Sequence, residues 1–351
     1  MGPLTRATEL AAEFPLPPRL EEHLTLDGQM RFARRYVKAR DAVEEEFYAD
    51  LDALIPARKR MRTFLAAMIR PAIGRAVRDP AEFYETFGRL MRRAWLSLSL
   101  GIYTDEIDRM PEPSLRLHTA QVNTVDTAWR PALARVPADG LLVEIGTGRG
   151  NSVARMAELL PEARMVSITV SPEQVAIARG VARQVGADRA EVRLGDLLDE
   201  SASRDLWGQA DAVTAIEVTG HLAPEQKGPG IAMLARLLRP GGVLSIVDTA
   251  LIRPMHPWLE RYLANQCWYL GNEAGYLTAL EDAGVEPVGY VDHTARMLRT
   301  FTDSTIVLRE YRDDIVREFG RLVGTVWPEL PERVYLRTAA SFAYVHIVAV
   351  R

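Results

Sequence analysis

The feature that most limits what this chain can fold into is the segment Leu141-Leu142-Val143-Glu144-Ile145-Gly146-Thr147-Gly148-Arg149-Gly150. A short apolar run that ends in glycines reads as a buried parallel strand followed by a tight turn, because a strand covered on both faces has no polar side to show. Glycines at alternate positions let the backbone approach a ligand closely, and a helix that starts just after the turn aims free N–H groups at it. Residues 152–160 read as that helix. In an open parallel sheet this place lies at the carboxyl ends of the strands, where ligands usually bind.

The pattern continues downstream as strand 165–169, helix 172–185, strand 191–194, strand 212–217, helix 225–238 and strand 243–248. Strands alternating with helices of this length predict an α/β fold with a doubly wound, mostly parallel, Rossmann-like sheet. The tail adds helix 274–283, strand 285–291, helix 305–323 and a last strand, 341–350. Upstream, residues 1–135 read as almost entirely helical. Phe32, Tyr36, Val37, Val43, Phe47, Leu51 and Leu54 recur at helical spacing, as do Phe83, Phe87, Leu90, Met91, Ala94 and Leu98. The chain therefore divides into a helical lid or substrate domain, 1–135, and a ligand-binding domain, 136–351. Aromatic- and Arg-rich inserts at about 250–272 and 294–340 are expected to cover the site. The basic cluster Arg58-Lys59-Arg60 reads as a solvated helix face.

Alternating glycines also occur at nicotinamide sites, but that pattern needs a glycine where this chain has Asn151, and an acidic residue where it has Thr169-Val170-Ser171. The motifs instead resemble class I methyltransferases. The order E-x-G-x-G-x-G, a polar end to the second strand, an acidic residue after the third and L-x-P-G-G before the fifth is matched by Glu144, Ser171, Asp196 and Leu238-Arg239-Pro240-Gly241-Gly242. The resemblance covers 140–250 strongly and the tail weakly. It implies a seven-stranded sheet, S-adenosylmethionine as cofactor, and binding through Glu144, Gly146, Thr147, Gly148, Gly150, Thr169, Ser171, Gln174, Asp196, Leu197 and Glu217. By that likeness the glycine loop lies against the amino-acid end and Asp196 accepts from the adenine amino group. Asp196 also reads as a simple turn carboxylate, and Glu144 as a local backbone cap.

Ile168-Thr169-Val170-Ser171-Pro172-Glu173-Gln174 resembles the I-T-L-S-x-x-Q signature of cyclopropane synthases, prenyl-diphosphate C-methyltransferases and related small-molecule enzymes. Ser171 and Gln174 could bond the ribose and adenine side, while Ser171 equally suits a helix N-cap ahead of Pro172. Those relatives read I-E-x-x-E-H after the fourth strand; this chain has Ile216-Glu217-Val218-Thr219-Gly220-His221, so the second Glu is lost, which counts against lipid cyclopropanation. Upstream, the segment from Trp95 to Tyr103 resembles a W…H-x-G-x-Y lid with Ser99 in place of His, and implies that Tyr103 touches the methionine part.

Methyl transfer asks mainly for alignment and exclusion of water, with a base only where the acceptor must lose a proton. Glu217, His221 and Tyr103 are the candidate catalytic residues, and Trp258, Trp268, Tyr269 and Tyr276 the candidate acceptor-pocket lining. Each also reads as ordinary packing. The expected activity is methylation of a small, largely apolar metabolite at C, N or O, in specialised metabolism. One alternative consumes the same cofactor by cyclising or transferring its aminocarboxypropyl arm, as nicotianamine synthases do, and releases methylthioadenosine. Another is a non-catalytic binding protein on this fold.

A net charge of −4 argues against a nucleic-acid partner. The six His show no ligand spacing, so no metal is expected, and one Cys excludes an internal disulfide. With no signal-peptide core and no apolar run long enough to span a bilayer, a cytoplasmic protein without membrane association is expected. The sequence leaves a homodimer open.

Overall fold

The computed structural model describes residues 5–6, 14–54, 77, 79–92 and 99–351. The Arg58-Lys59-Arg60 cluster, Ala94 and Trp95–Leu98 of the two helical and lid readings lie outside them. The strands are β1 (Thr5–Arg6), β2 (Leu141–Ile145), β3 (Arg164–Thr169), β4 (Ala190–Leu194), β5 (Ala210–Ile216), β6 (Leu238–Leu251), β7 (Glu286–Asp292) and β8 (Phe342–Val350). They form one sheet in the order β1-β7-β8-β6-β5-β2-β3-β4. This is the expected seven-stranded doubly wound sheet with a two-residue edge strand added. All pairings are parallel except those of β8, which runs antiparallel to β6 and β7.

Period-two burial explains how the sheet is held. Val143, Ile145, Val166, Ile168, Val213 and Ala215 pack into the apolar core on one face, and Leu142, Met165 and Ala212 into the core on the other. The chain runs outward through β2, β3 and β4, then returns as β5 on the opposite side of β2. That reversal leaves a crevice beyond the carboxyl ends of β2 and β5, where neighbouring crossovers diverge. Gly146 follows β2 there and Glu217 follows β5.

The helix Leu26–Leu54 lies against the helices Pro113–Leu133 and Pro172–Val185, burying Phe32, Ala33 and Tyr36 with Val122, Ile177 and Val181. Arg155 of the helix Asn151–Leu159 makes a forked pair to Asp126 at 2.7 and 2.8 Å, with both side chains almost fully buried. Removing one partner of a buried pair like this typically costs about 3–5 kcal/mol, so it ties the N-terminal helices to the element that follows the glycine loop. No helix among the described residues is long and apolar enough to cross a membrane.

Two readings of the chain need correction. The single helix expected over 305–323 is three helices, Arg299–Glu310, Arg312–Phe319 and Arg321–Val326. Gly320, at φ +90°, turns the chain back so that Gly324 packs onto Val316, which periodicity alone does not report. The strand expected at 243–248 runs from Leu238 to Leu251, with a register irregularity at Ala210/Ala212 beside Pro240-Gly241-Gly242.

Candidate active site

A cavity of about 310 Å³ fills the crevice. Glu144, Gly146, Thr147, Gly148, Thr169, Gln174, Asp196, Leu197, Glu217 and His221 line it, so the fold gathers most of the residues that the motifs single out. Gly146 takes φ +82°, and a Cβ there would meet Val218 Cγ2 at 2.3 Å, so both the backbone and the space require glycine. Glu144 is buried and accepts from the Ser167 hydroxyl at 3.0 Å; burial holds its carboxyl above the usual range.

Three expected contributors do not face the cavity. Gly150 begins the helix Asn151–Leu159 at φ +83°, and a Cβ would come within 3.1 Å of Ala178, so it serves helix–helix packing. Ser171 is fully buried as an N-cap that accepts from Gln174 N–H at 3.3 Å. Tyr103 is buried with Ile107, Met110 and Ala120, and its hydroxyl donates to Asp303 at 2.9 Å, turned away from the cavity. The buried Arg116–Asp303 pair, 2.6 Å, supplies the polar anchor that directs it there. Asp196 lines the cavity while Oδ1 accepts from Leu198 N–H at 2.8 Å, which is the turn-carboxylate arrangement.

The cavity fits the cofactor that the motifs imply. The buried side-chain amide of Asn151, on its wall, has no hydrogen-bond partner among the described residues, and a ligand bearing donors and acceptors would satisfy it. The N-terminus of the helix Asn151–Leu159 begins here and suits a carboxylate.

At the far wall, Glu217 is one of two non-glycine residues at positive φ among the described residues, +55°, a strained conformation that is held by its surroundings. Its Oε1 accepts from Leu100 N–H at 2.6 Å and the Tyr344 hydroxyl at 2.8 Å. Burial pushes its carboxyl up to about 8. His221 Nδ1 lies 2.7 Å from the carbonyl of Cys267, which can only accept, so Nδ1 carries the proton. Nε2 then accepts from the Tyr84 hydroxyl at 2.8 Å, and burial keeps the ring neutral by lowering its pKa. Asp248 fixes this turn, accepting from Thr219 Oγ1 at 2.6 Å and Gly220 N–H at 2.8 Å.

A second cavity of about 120 Å³ shares Tyr84, Glu217 and His221 with the first, and its other walls include Phe83, Trp268, Phe301, Trp327 and Tyr335. Of the expected pocket aromatics, Trp268 lines this cavity and Tyr269 the larger one. Trp258 is half exposed and stacks on Tyr262, while Tyr276 is buried with its hydroxyl on Thr219. The structure also explains Gly220, where the resembling enzymes have Glu. A Cβ there would sit 3.0 Å from both Asp248 Oδ1 and Trp268 Nε1, so the indole occupies the room that a Glu side chain needs.

Sequence reasoning missed Tyr84, Asn151, Asp248 and Tyr344. Tyr84 lies beside Phe87 and Met91 on one helix face, and a hydroxyl-bearing ring on an apolar stripe was the available signal.

The family model described as a methyltransferase domain matches residues 143–244. A trans-aconitate 2-methyltransferase from Azoarcus sp. is 36% identical over 121 residues, 34% of this chain and 44% of that protein. The chain spans between 31 and 62% of the length of five other curated relatives. Among solved structures, geranyl diphosphate C-methyltransferase from Streptomyces coelicolor aligns with TM-score 0.58 at 20% identity, over 77% of this chain and 98% of that one. A cyclopropane synthase from Mycobacterium tuberculosis aligns with TM-score 0.62 at 15% identity, over 73% of this chain and 90% of that one. The two structural likenesses bear on the fold.

Proposed function

Because residues 143–244 form a class I S-adenosylmethionine-dependent methyltransferase domain, we propose that this chain methylates a small molecule whose buried part is uncharged and largely apolar. The observation that carries the reading is the neutral lining of the aromatic cavity where it meets the larger one. Among the described residues, its ionisable groups apart from phenols are Glu217 and His221, and burial disfavours the charge on both. No Lys or Arg among the described residues lines it, so a buried diphosphate or carboxylate would stand unpaired.

Bound S-adenosylmethionine supplies an electrophilic methyl group. The chain's own residues hold, shield and deprotonate. Gly146–Gly148, Glu144 and Asn151 would take the amino-acid end, and Gln174, Asp196 and Leu197 the adenosine end, all on one wall system. Glu217, fixed by Leu100 and Tyr344, stands where the two cavities join, its carboxyl pushed up to about 8 by burial, which suits a general base near neutral pH. The helices within 1–135 act as the lid: Tyr84 and Pro80 reach the cavity from above and help to keep water out. The family match, and curated relatives that bear methyltransferase names, support methyl transfer over cyclisation of the aminocarboxypropyl arm. We place the reaction in specialised metabolism in the cytoplasm.

Thermal shift on protein saturated with S-adenosylhomocysteine tests whether the acceptor is neutral. Neutral hydroxylated aromatics such as 2-naphthol should raise Tm, by about 2.7 kcal/mol of stabilisation at a hundredfold excess over Kd. Geranyl diphosphate and trans-aconitate should not. Stabilisation by either anion, with none from the neutral compounds, overturns the acceptor class.

A further inference from the structure

Arg149 occupies the variable position before the last glycine of the loop, and its side chain is not among those lining the cavity. It runs instead into the N-terminal helices. Its guanidinium pairs with Glu44 at 2.8 Å, both side chains 1% exposed, and donates to the backbone carbonyl of Gly88. Its own carbonyl accepts from the Tyr36 hydroxyl at 2.9 Å. Tyr36 and Glu44 belong to the helix Leu26–Leu54, and Gly88 to the helix Pro80–Met91, which carries Tyr84 over the cavity. A Cβ at Gly88 would meet the Glu173 carboxylate at 2.4 Å, so a side chain there would have to displace Glu173. The helix therefore seats its backbone directly on the loop's own arginine.

We propose that Arg149 is a positioning residue that couples the glycine loop to the two helices of the lid, so that cofactor affinity and lid order rise together. The proposal rests on the reading of the cavity as the S-adenosylmethionine site. A buried guanidinium bound to both helices has few alternative placements, so a loop that shifts carries both helices with it. Coupling of this kind typically changes affinity between about 5-fold and 150-fold.

The test uses the full chain, with S-adenosylhomocysteine as the probe, by calorimetry and by hydrogen–deuterium exchange. In the unaltered protein the ligand should protect amides in both Asn151–Leu159 and Pro80–Met91. R149M should bind roughly 10–100-fold more weakly. At saturation it should keep protection in Asn151–Leu159 and lose it in Pro80–Met91, a split that a general loss of stability would not produce. Glu44 retains Arg40 at 3.8 Å in that variant. Should R149M fail to fold, G88A answers the same question from the helix side, leaving Arg149 and Glu44 in place. An affinity within twofold of the unaltered protein, or lid protection that persists, in the variant that folds overturns the coupling. Absence of binding to the unaltered protein would instead remove the cofactor reading on which the coupling rests.

Discussion

Replacing Gly146 with Ala should weaken S-adenosylhomocysteine binding by roughly 10–100-fold, because each step of about 1.4 kcal/mol in strain and displacement at the ligand is tenfold in affinity. Two costs combine. The residue holds φ +82°, where an L side chain is strained by about 1–2 kcal/mol. The new methyl would also stand 2.3 Å from Val218 Cγ2, so either the loop or Val218 must move, and both line the cavity. Gly186→Ala separates the two costs. It has φ +71° with nothing within 4 Å of its Cβ, at the end of the helix Pro172–Val185, remote from the site. That variant should lose about 1 kcal/mol of stability and keep its affinity. Isothermal calorimetry on both variants, beside their unfolding curves, makes the comparison. Equal affinity losses in the two would mean that general destabilisation, and not the loop's approach to the ligand, sets the effect.

Glu217→Gln should lower kcat by roughly 10²–10⁴ for an acceptor that must lose a proton. The amide oxygen can still accept from Leu100 and Tyr344, so the turn stays in place while the base is lost. The pH dependence follows from the direction of the shift. Burial raises the folded carboxyl from 4.5 to about 8, so the proton-accepting form gathers as pH rises through about 8, and the rate should climb there. Stability runs the other way. Between those values the folded protein holds a proton that the unfolded chain has released, so Glu217 makes stability fall with rising pH across that window. In the Gln variant the ascending limb should vanish and the decline in Tm over that window should flatten. A Gln variant with the full rate and the same pH profile would remove Glu217 from proton transfer.

The chain announces some of this and conceals the rest for physical reasons. Apolar runs ending in glycine, such as Leu141–Ile145, declare buried strands because both faces of a parallel strand must be covered. The cavity's wall at Glu144, Gly146, Asp196 and Glu217 was readable because each stands at or just beyond a strand end, where the topology itself brings them together. Ser171 illustrates the limit. A Ser before Pro serves a helix cap and a ribose contact equally well on paper, and the structure shows it buried in the cap. Tyr103 failed for a long-range reason, since its partner Asp303 comes from a helix that local pattern cannot place beside it. Tyr84 and His221 meet across 137 residues of chain, and Arg149 reaches Gly88 across 61. These contacts depend on how two helices dock onto a loop, and motifs within either segment do not encode them.

The central claim is that the cavity presents a methyl group to an acceptor held among Phe83, Trp268, Trp327 and Tyr335. Its most direct test is to incubate the purified protein with S-adenosylmethionine, with and without a metabolite extract, and to identify the nucleoside product by mass spectrometry. The account predicts S-adenosylhomocysteine only when extract is present, together with an extract component heavier by one methyl group. Methylthioadenosine formed from the cofactor alone, above its non-enzymatic background, would contradict it and make the cofactor itself the substrate.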